Sequence, residues 1–307
     1  MENSANQKTQ KRFILAISLT SLILVAEIIG GIWSGSLALL SDAAHVFADI
    51  FALGLSYFAL RLATRPPDDR HSYGWQRAEV IAAFINGASL VVIAIAIWVE
   101  AVKRWQSPVE IKSLEMMVIA IIGLVVNAVV AFILGRHDHE HPGKGTREPT
   151  TRNLNVHSAF LHVIGDLISS IGVIIAALLI RLTSAQWLDP LISILIGGII
   201  LVSAYRVLRR SLHILVEGVP EGLSVREIKQ SISSLEEVEA VHDLHVWSLG
   251  AENIALSTHV VLPSEQFALQ QKVMEHIKQL LADEYGITHA TLQFEESPCG
   301  DDQGRCN

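Results

Sequence analysis

The sequence predicts an α-helical membrane protein with six transmembrane helices, followed by a small α/β domain of α-β-β-α-β order. Three observations carry that prediction. Half of the 307 residues are hydrophobic, whereas a soluble chain of this length needs more charge to cover its surface. Apolar windows of about 20 residues, each able to cross a hydrocarbon core of about 30 Å, recur through the first two thirds and then stop. Beyond residue 210 the pattern changes to amphipathic helices and β-rich runs bounded by turn residues.

Taken in order, the apolar windows fall at roughly 12–33, 37–61, 79–105, 114–135, 156–181 and 187–208. Helices are the expected form, because a backbone in lipid must pair its polar groups within its own segment. A barrel would need short alternating strands, and these runs are long and continuous. The first run lacks a small-residue cleavage site and leads straight into another span, so it reads as a retained helix and not a removed signal peptide. Lys and Arg set the orientation. One side collects Lys8, Lys11, Arg12, Arg61, Arg65, Arg70, Arg77, Arg136, Lys144, Arg147, Arg152, Arg206, Arg209 and Arg210, and the other has Lys103, Arg104, Lys112 and Arg181. Both termini are therefore expected in the cytoplasm. The chain divides into a membrane domain, 1–210, and a cytoplasmic domain, 211–307.

In the tail, Ser224-Val225-Arg226-Glu227 has the form of a capping box opening a helix to about Leu235. Two β-rich runs follow, AVHDLHVWSL and NIALSTHVVL, joined by the turn-like Gly250-Ala251-Glu252. A second helix is expected from about Ser264 to Tyr285, ended by Gly286, and ITHATLQFE supplies a last strand. The result is a ferredoxin-like, metallochaperone-like unit: a three-stranded sheet with two helices on one face. The loop HDHEHPGKGTREPTTRN, between the fourth and fifth spans, is expected to be exposed, and its histidines at 137–141 can hold a divalent ion loosely.

The formal net charge is −8, and the acidity concentrates in the tail at Glu236, Glu237, Glu239, Asp283, Glu284, Glu295, Glu296, Asp301 and Asp302. Such a surface repels phosphate backbones and argues against a nucleic-acid partner. Cys299 and Cys306 both lie in the last stretch of the tail, where a reducing compartment favours free thiols or metal ligands over a disulfide.

The chemistry sits where lipid should be. SDAAHVFAD, residues 41–49, places Asp42, His45 and Asp49 inside an apolar run. A carboxylate at membrane depth costs at least about 2.5–3.5 kcal/mol, so something must offset it. Positions i and i+4 stack on one helix face, and His45 and Asp49 have that spacing. The fifth span repeats it with His162 and Asp166 in AFLHVIGDLISS. A lone buried His–Asp pair is more often a structural hydrogen bond. Two such pairs, facing one another, make a set of two nitrogens and two oxygens that suits tetrahedral Zn2+.

These residues resemble the cation diffusion facilitators, above all their zinc-transporting branch. The resemblance spans nearly the whole chain, through SLALLSDAAHVFAD, DDRHSYGWQRAEVIAAFIN, LNVHSAFLHVIGD and HDLHVWSL. It implies a homodimeric six-helix transporter with a cytoplasmic metal-binding domain, exporting a divalent metal ion in exchange for protons across a lipid bilayer. His45, where some members carry Asp, implies preference for zinc. The resemblance also implies cytoplasmic ligands at His242, His259 and Glu295, with Zn2+ there as a regulatory ligand. A peripheral loop site is implied at Asp68 and His71, although Trp75 stands where a further His can occur. Period-2 alternation puts His242 and His245 on opposite faces of one strand.

Other membrane polar residues carry less. Asp42 either supports a ligand from behind or lines the access path. Asn86 and Asn127 are expected to hydrogen-bond between helices, His157 to sit at the cytoplasmic mouth, and Glu27 is assigned no role. Three competing functions stand beside zinc/proton antiport. They are transport of Cd2+, Co2+ or Ni2+ on the same fold, a membrane metal sensor, and an intramembrane metalloenzyme. An enzyme needs an open ligand position and a general base, and no HExxH or similar base is present. The short histidine loop and compact length favour a bacterial inner (plasma) membrane.

Overall fold

A computed structural model describes the backbone of residues 2–135, 151–250 and 253–298, and the side chains of 18–130, 167–250 and 253–298. The 137–141 histidines, Cys299 and Cys306 lie outside the described residues, as do the side chains of His157, His162 and Asp166. Six long helices come first: α1 (Glu2–Ser34), α2 (Leu37–Ala63), α3 (Ala78–Gln106), α4 (Ser113–Gly135), α5 (Thr151–Thr183) and α6 (Leu188–Leu215). Among the described residues, four stretches are long and apolar enough to cross a membrane: Leu37–Ala63, Ala78–Gln106, Ser113–Val130 and Leu188–Leu215. In α1 and α5 the described apolar stretches are shorter, Ser18–Ser34 and Leu167–Thr183. The chain is an integral membrane protein with a helical transmembrane domain and a small C-terminal α/β domain.

The fold separates into two compact units, one of residues 1–53 and 86–205, the other of 54–85 and 206–307. In the first, the buried core is rich in small residues: Ala38, Ala48, Ala94, Ala176, Ala177 and Ala204 are all essentially inaccessible. Helices in lipid gain little from burying leucine and associate through close van der Waals approach, which small residues permit. Leu39, Met116, Val173 and Ile200 fill the space between them, while many other large side chains point outward, among them Leu22, Ile32, Phe47, Val92, Val125 and Leu195. Gly197 on α6 is the clearest case of enforced proximity. A Cβ there would lie 2.7 Å from Nε1 of Trp98 on α3, and that indole N–H donates to the Ile194 carbonyl at 3.0 Å.

The start of α2 is tied to α6. Asp189, fully buried, accepts from Leu37 N–H (2.8 Å), Ala38 N–H (3.1 Å) and the Ser36 hydroxyl (2.6 Å). The first amides of a helix have no intrahelical partner, and in a low-dielectric interior each would be costly unpaired. A carboxylate from another helix satisfies them and complements the positive end of the helix dipole. The helix that carries His45 and Asp49 is thereby held from its first turn.

The second unit contains α7 (Val225–Ser233), β1 (Ala240–Ser248), β2 (Ile254–Val261), α8 (Gln270–Tyr285) and β3 (His289–Glu295). Ser224 caps α7, its hydroxyl accepting from Glu227 N–H, as the capping box predicts. The helix expected from Ser264 begins later, because Phe267–Leu269 forms a tighter 3-10 turn before α8. Gly286 ends α8 at φ +66°, a conformation glycine adopts without a Cβ clash. The sheet order is β1-β2-β3, with β1 and β2 antiparallel and β2 and β3 parallel around the α8 crossover. Ile228 and Ile232 of α7 and Val273, Ile277 and Leu281 of α8 pack with Val241, Val246, Leu256 and Val260. Both helices thus cover one face, and the alternate strand residues are left for the other.

Candidate metal centres

On α2, His45 Nε2 and Asp49 Oδ2 lie 3.8 Å apart, one helical turn apart in sequence, with the imidazole the more buried of the two. Asp42, one turn earlier and 4% exposed, accepts from the Ser169 hydroxyl (2.5 Å) and the Ser170 hydroxyl (3.3 Å) on α5. This contact joins the two helices that carry the paired His and Asp motifs. His162 and Asp166 lie on α5, one to two turns before the two serines. Sequence reasoning left Asp42 between two roles and passed over the serines. The signal was present, since AFLHVIGDLISS puts hydroxyls three and four residues beyond Asp166.

The tail holds a second cluster. His242, His259 and Glu295 each offer a ligand atom, all within 4.8 Å of one another. Glu295 stands between two imidazoles, with Oε2 3.1 Å from His242 Nε2 and Oε1 2.8 Å from His259 Nδ1. His242 and His259 are cross-strand partners, and Glu295 pairs with Val261, two residues along β2 from His259. All three project from the face that the helices do not cover. Two nitrogens and one carboxylate oxygen, converging and largely shielded from water, suit a divalent borderline ion such as Zn2+.

The expected separation of His242 from His245 is corrected by a β-bulge. The register runs from His242↔His259 to His245↔Ser257, so three steps on β1 match two on β2. Asp243 takes φ +49°, the left-handed region, within the bulge. One extra residue reverses the alternation beyond it, and His245 returns to the same face as His242. Its Nε2 lies 3.1 Å from Asp243 Oδ1, while Asp243 Oδ2 is 3.9 Å from His259 Nε2.

Asp68 and His71 form a compact turn between α2 and α3. Asp68 Oδ1 accepts from the Arg70 and His71 amides at 2.8 Å each and lies 2.9 Å from His71 Nδ1. The hydrogen bond donated by the Arg70 backbone N–H first, and then that of the His71 side chain, hold the Asp68 carboxyl below its ordinary range. Trp75, at the position where a third ligand was sought, instead lays its ring over His71 at 4.0 Å. Among the described residues no third His, Cys, Asp or Glu completes a triad here. Asn86, expected to bridge helices, has its Oδ1 buried without a hydrogen-bonding partner among the described residues.

Residues 13–216 match the cation efflux transmembrane domain, and residues 220–297 match the cytoplasmic domain of cation efflux proteins. The zinc transporter ZitB of Escherichia coli is 40% identical over 291 residues, covering 94% of this chain and 88% of the relative. The metal cation efflux system protein CzcD of Cupriavidus metallidurans is 38% identical over 285 residues, covering 93% and 86%. A cadmium, cobalt and zinc/H(+)-K(+) antiporter of Bacillus subtilis is 37% identical over 298 residues, covering 96% and 92%.

Proposed function

The chain belongs to the cation efflux family of membrane transporters, the cation diffusion facilitators, and on that premise we propose that it exports Zn2+ from the cytoplasm in exchange for protons. The transport site is His45, Asp49, His162 and Asp166. The observation that carries this reading is the Asp42 contact with Ser169 and Ser170. Asp42 lies three residues before His45, and Ser169 three residues after Asp166. With six spans, α2 and α5 run in opposite directions. One turn along from the contact, His45 comes level with Asp166, and a further turn brings Asp49 level with His162. That register supports one shared four-ligand site near mid-membrane.

The exchange follows from the ligands. Zinc needs neutral imidazole and ionised carboxylate, so protons compete with it at every ligand. Histidine, with an ordinary pKa near 6.5, titrates where that competition matters. Zinc entering from the cytoplasm displaces protons, and protons entering from the other side displace zinc. Alternating access to a fixed midplane site then lets the proton gradient drive export. No step in this cycle makes or breaks a covalent bond in a substrate, and the reading is of a transporter and not an enzyme.

The division at residue 210 gives a membrane domain and a cytoplasmic domain with both termini inside, as the Lys and Arg distribution supports. The bacterial relatives support an inner-membrane location, and the match to the family's cytoplasmic domain supports a homodimer. In the tail, His242, His259 and Glu295 would hold a regulatory Zn2+, whose charge offsets the acidic surroundings. A second reading, broader transport that includes Cd2+ and Co2+, is favoured by the name of the Bacillus subtilis relative.

The test is flux. Purified protein in proteoliposomes, with a zinc-sensitive dye inside and an imposed pH difference, should move Zn2+ with an opposite proton movement. Asp49→Ala should abolish both. Zinc movement without proton movement would remove the antiport reading, and zinc binding without movement would favour a sensor.

A further inference from the structure

Glu27 is the one residue of described α1 (residues 18–34) that carries an ionisable side chain, and it is 1% exposed. Neither carboxyl oxygen has a hydrogen-bonding partner among the described residues. Its Oε1 fills the space left by a missing side chain on α4, 2.7 Å from where a Cβ on Gly123 would stand. The only ionisable residue of α4 is Glu115, about two turns from Gly123. On α2, Asp42 acts on Glu27 electrostatically. Residues 18–34 of α1 and all of α4 carry no Lys, Arg or His, and the basic residues of α2 are His45, three residues beyond Asp42, and Arg61 at its far end.

The two carboxyls live in different surroundings. Asp42 accepts from two hydroxyls, Ser169 and Ser170, which stabilises its charged form. Glu27 is buried without such donors and beside a like charge, and an isolated carboxylate in that setting is costly enough to take up a proton instead. Two acids whose environments push them apart divide the labour of charge and proton between them.

From this arrangement we infer that Glu27 is a proton-binding site of the transport cycle, exchanging its proton as the metal ion comes and goes one turn from Asp42. The inference rests on the antiport reading above and adds a carrier outside the four ligands. When a dication binds at the four ligands, one turn from Asp42, the negative field on Glu27 is offset. The Glu27 O–H bond then breaks, the proton leaves to the cytoplasm, and a carboxylate remains. When the site faces the opposite side, a proton from that solution re-forms the O–H bond as the metal ion departs. Glu27 touches neither zinc nor its ligands in this scheme. It sets how many protons accompany each ion.

The substitution Glu27→Gln keeps the shape and removes the titration. In proteoliposomes carrying both a zinc dye and a pH dye, the wild type gives a ratio of protons to zinc. Glu27→Gln should lower that ratio by about one proton per ion while zinc still binds. Infrared difference spectra of the purified full-length protein give an independent readout. Added Zn2+ should remove the carbonyl band of a buried neutral carboxylic acid in the wild type, and that band should be absent from Glu27→Gln. Should Glu27→Gln fail to fold, Gly123→Ala keeps the carboxyl and crowds Oε1, and should shift both the band and the pH midpoint of transport. An unchanged ratio and band in Glu27→Gln, or an unchanged band and midpoint in Gly123→Ala, overturns the inference. Wild-type protein that moves zinc without protons would instead overturn the antiport reading beneath it.

Discussion

Replacing Glu295 should separate the tail cluster's two contributions, packing and metal binding. The carboxylate stands between His242 and His259 at 3.1 and 2.8 Å, and the backbone carbonyl of the same residue accepts from the Leu262 amide at 2.9 Å. Leu262 is fully buried, so its amide exchanges with solvent only when the sheet opens. In metal-free, chelator-treated protein, Glu295→Ala removes the acceptor shared by two largely buried rings, at a cost of about 1–3 kcal/mol. Glu295→Gln keeps the volume and one acceptor, and should cost less. Zinc changes the comparison. At one hundred times its dissociation constant, a ligand that binds only the folded form adds about 2.7 kcal/mol, a protection gain of about 100-fold. Hydrogen exchange at Leu262 in the intact wild type should therefore slow by about that factor on zinc addition. Neither variant should respond. Wild-type exchange indifferent to zinc, or an equal slowing in Glu295→Gln, would reduce the three residues to packing.

The remaining predictions concern the membrane domain. Asp49→Ala should abolish zinc flux while leaving protein in the membrane, since a carboxylate at membrane depth is costly and its removal spares the fold; normal flux in the purified variant would remove Asp49 from the site. His45→Asp changes the set from two nitrogens and two oxygens to one and three, and the ratio of cadmium to zinc transport should rise. An unchanged ratio would locate selectivity elsewhere. Asp189→Ala strands the Leu37 and Ala38 amides and the Ser36 hydroxyl, which predicts a loss of about 2–4 kcal/mol. Its detergent-solubilised melting temperature should fall by several degrees, and an unaltered melting curve would show that α2 does not depend on that anchor.

The helical plan of this protein was legible because it is written in a local code. Each window holds its own hydrophobic length, and His45 and Asp49 declare a common face by a spacing of four. The tail's element order was legible for the same reason, from the Ser224 cap to the Gly286 stop. What stayed hidden is non-local. Nothing near Leu37 in sequence announces that its amide is satisfied by Asp189, 152 residues away. Asp42 reads as a stray carboxylate until Ser169 and Ser170 come against it.

The bulge at Asp243 belongs between these cases, and it bears on how the tail presents ligands. A regular strand would send His245 to the helix-covered face, where a charged or ligating imidazole has no place. The extra residue instead keeps hydrophobic Val241 and Val246 together in the core while His242 and His245 share the outer face. Asp243 is a residue type that tolerates φ above zero better than most, and its carboxylate then lies between His245 and His259. HDLHVW could be read as one strand with one alternation, or as two half-strands of opposite phase. The hydrophobic residues decide. Only the bulged phase buries both valines, so the core selects the geometry that gathers the polar residues on the open side.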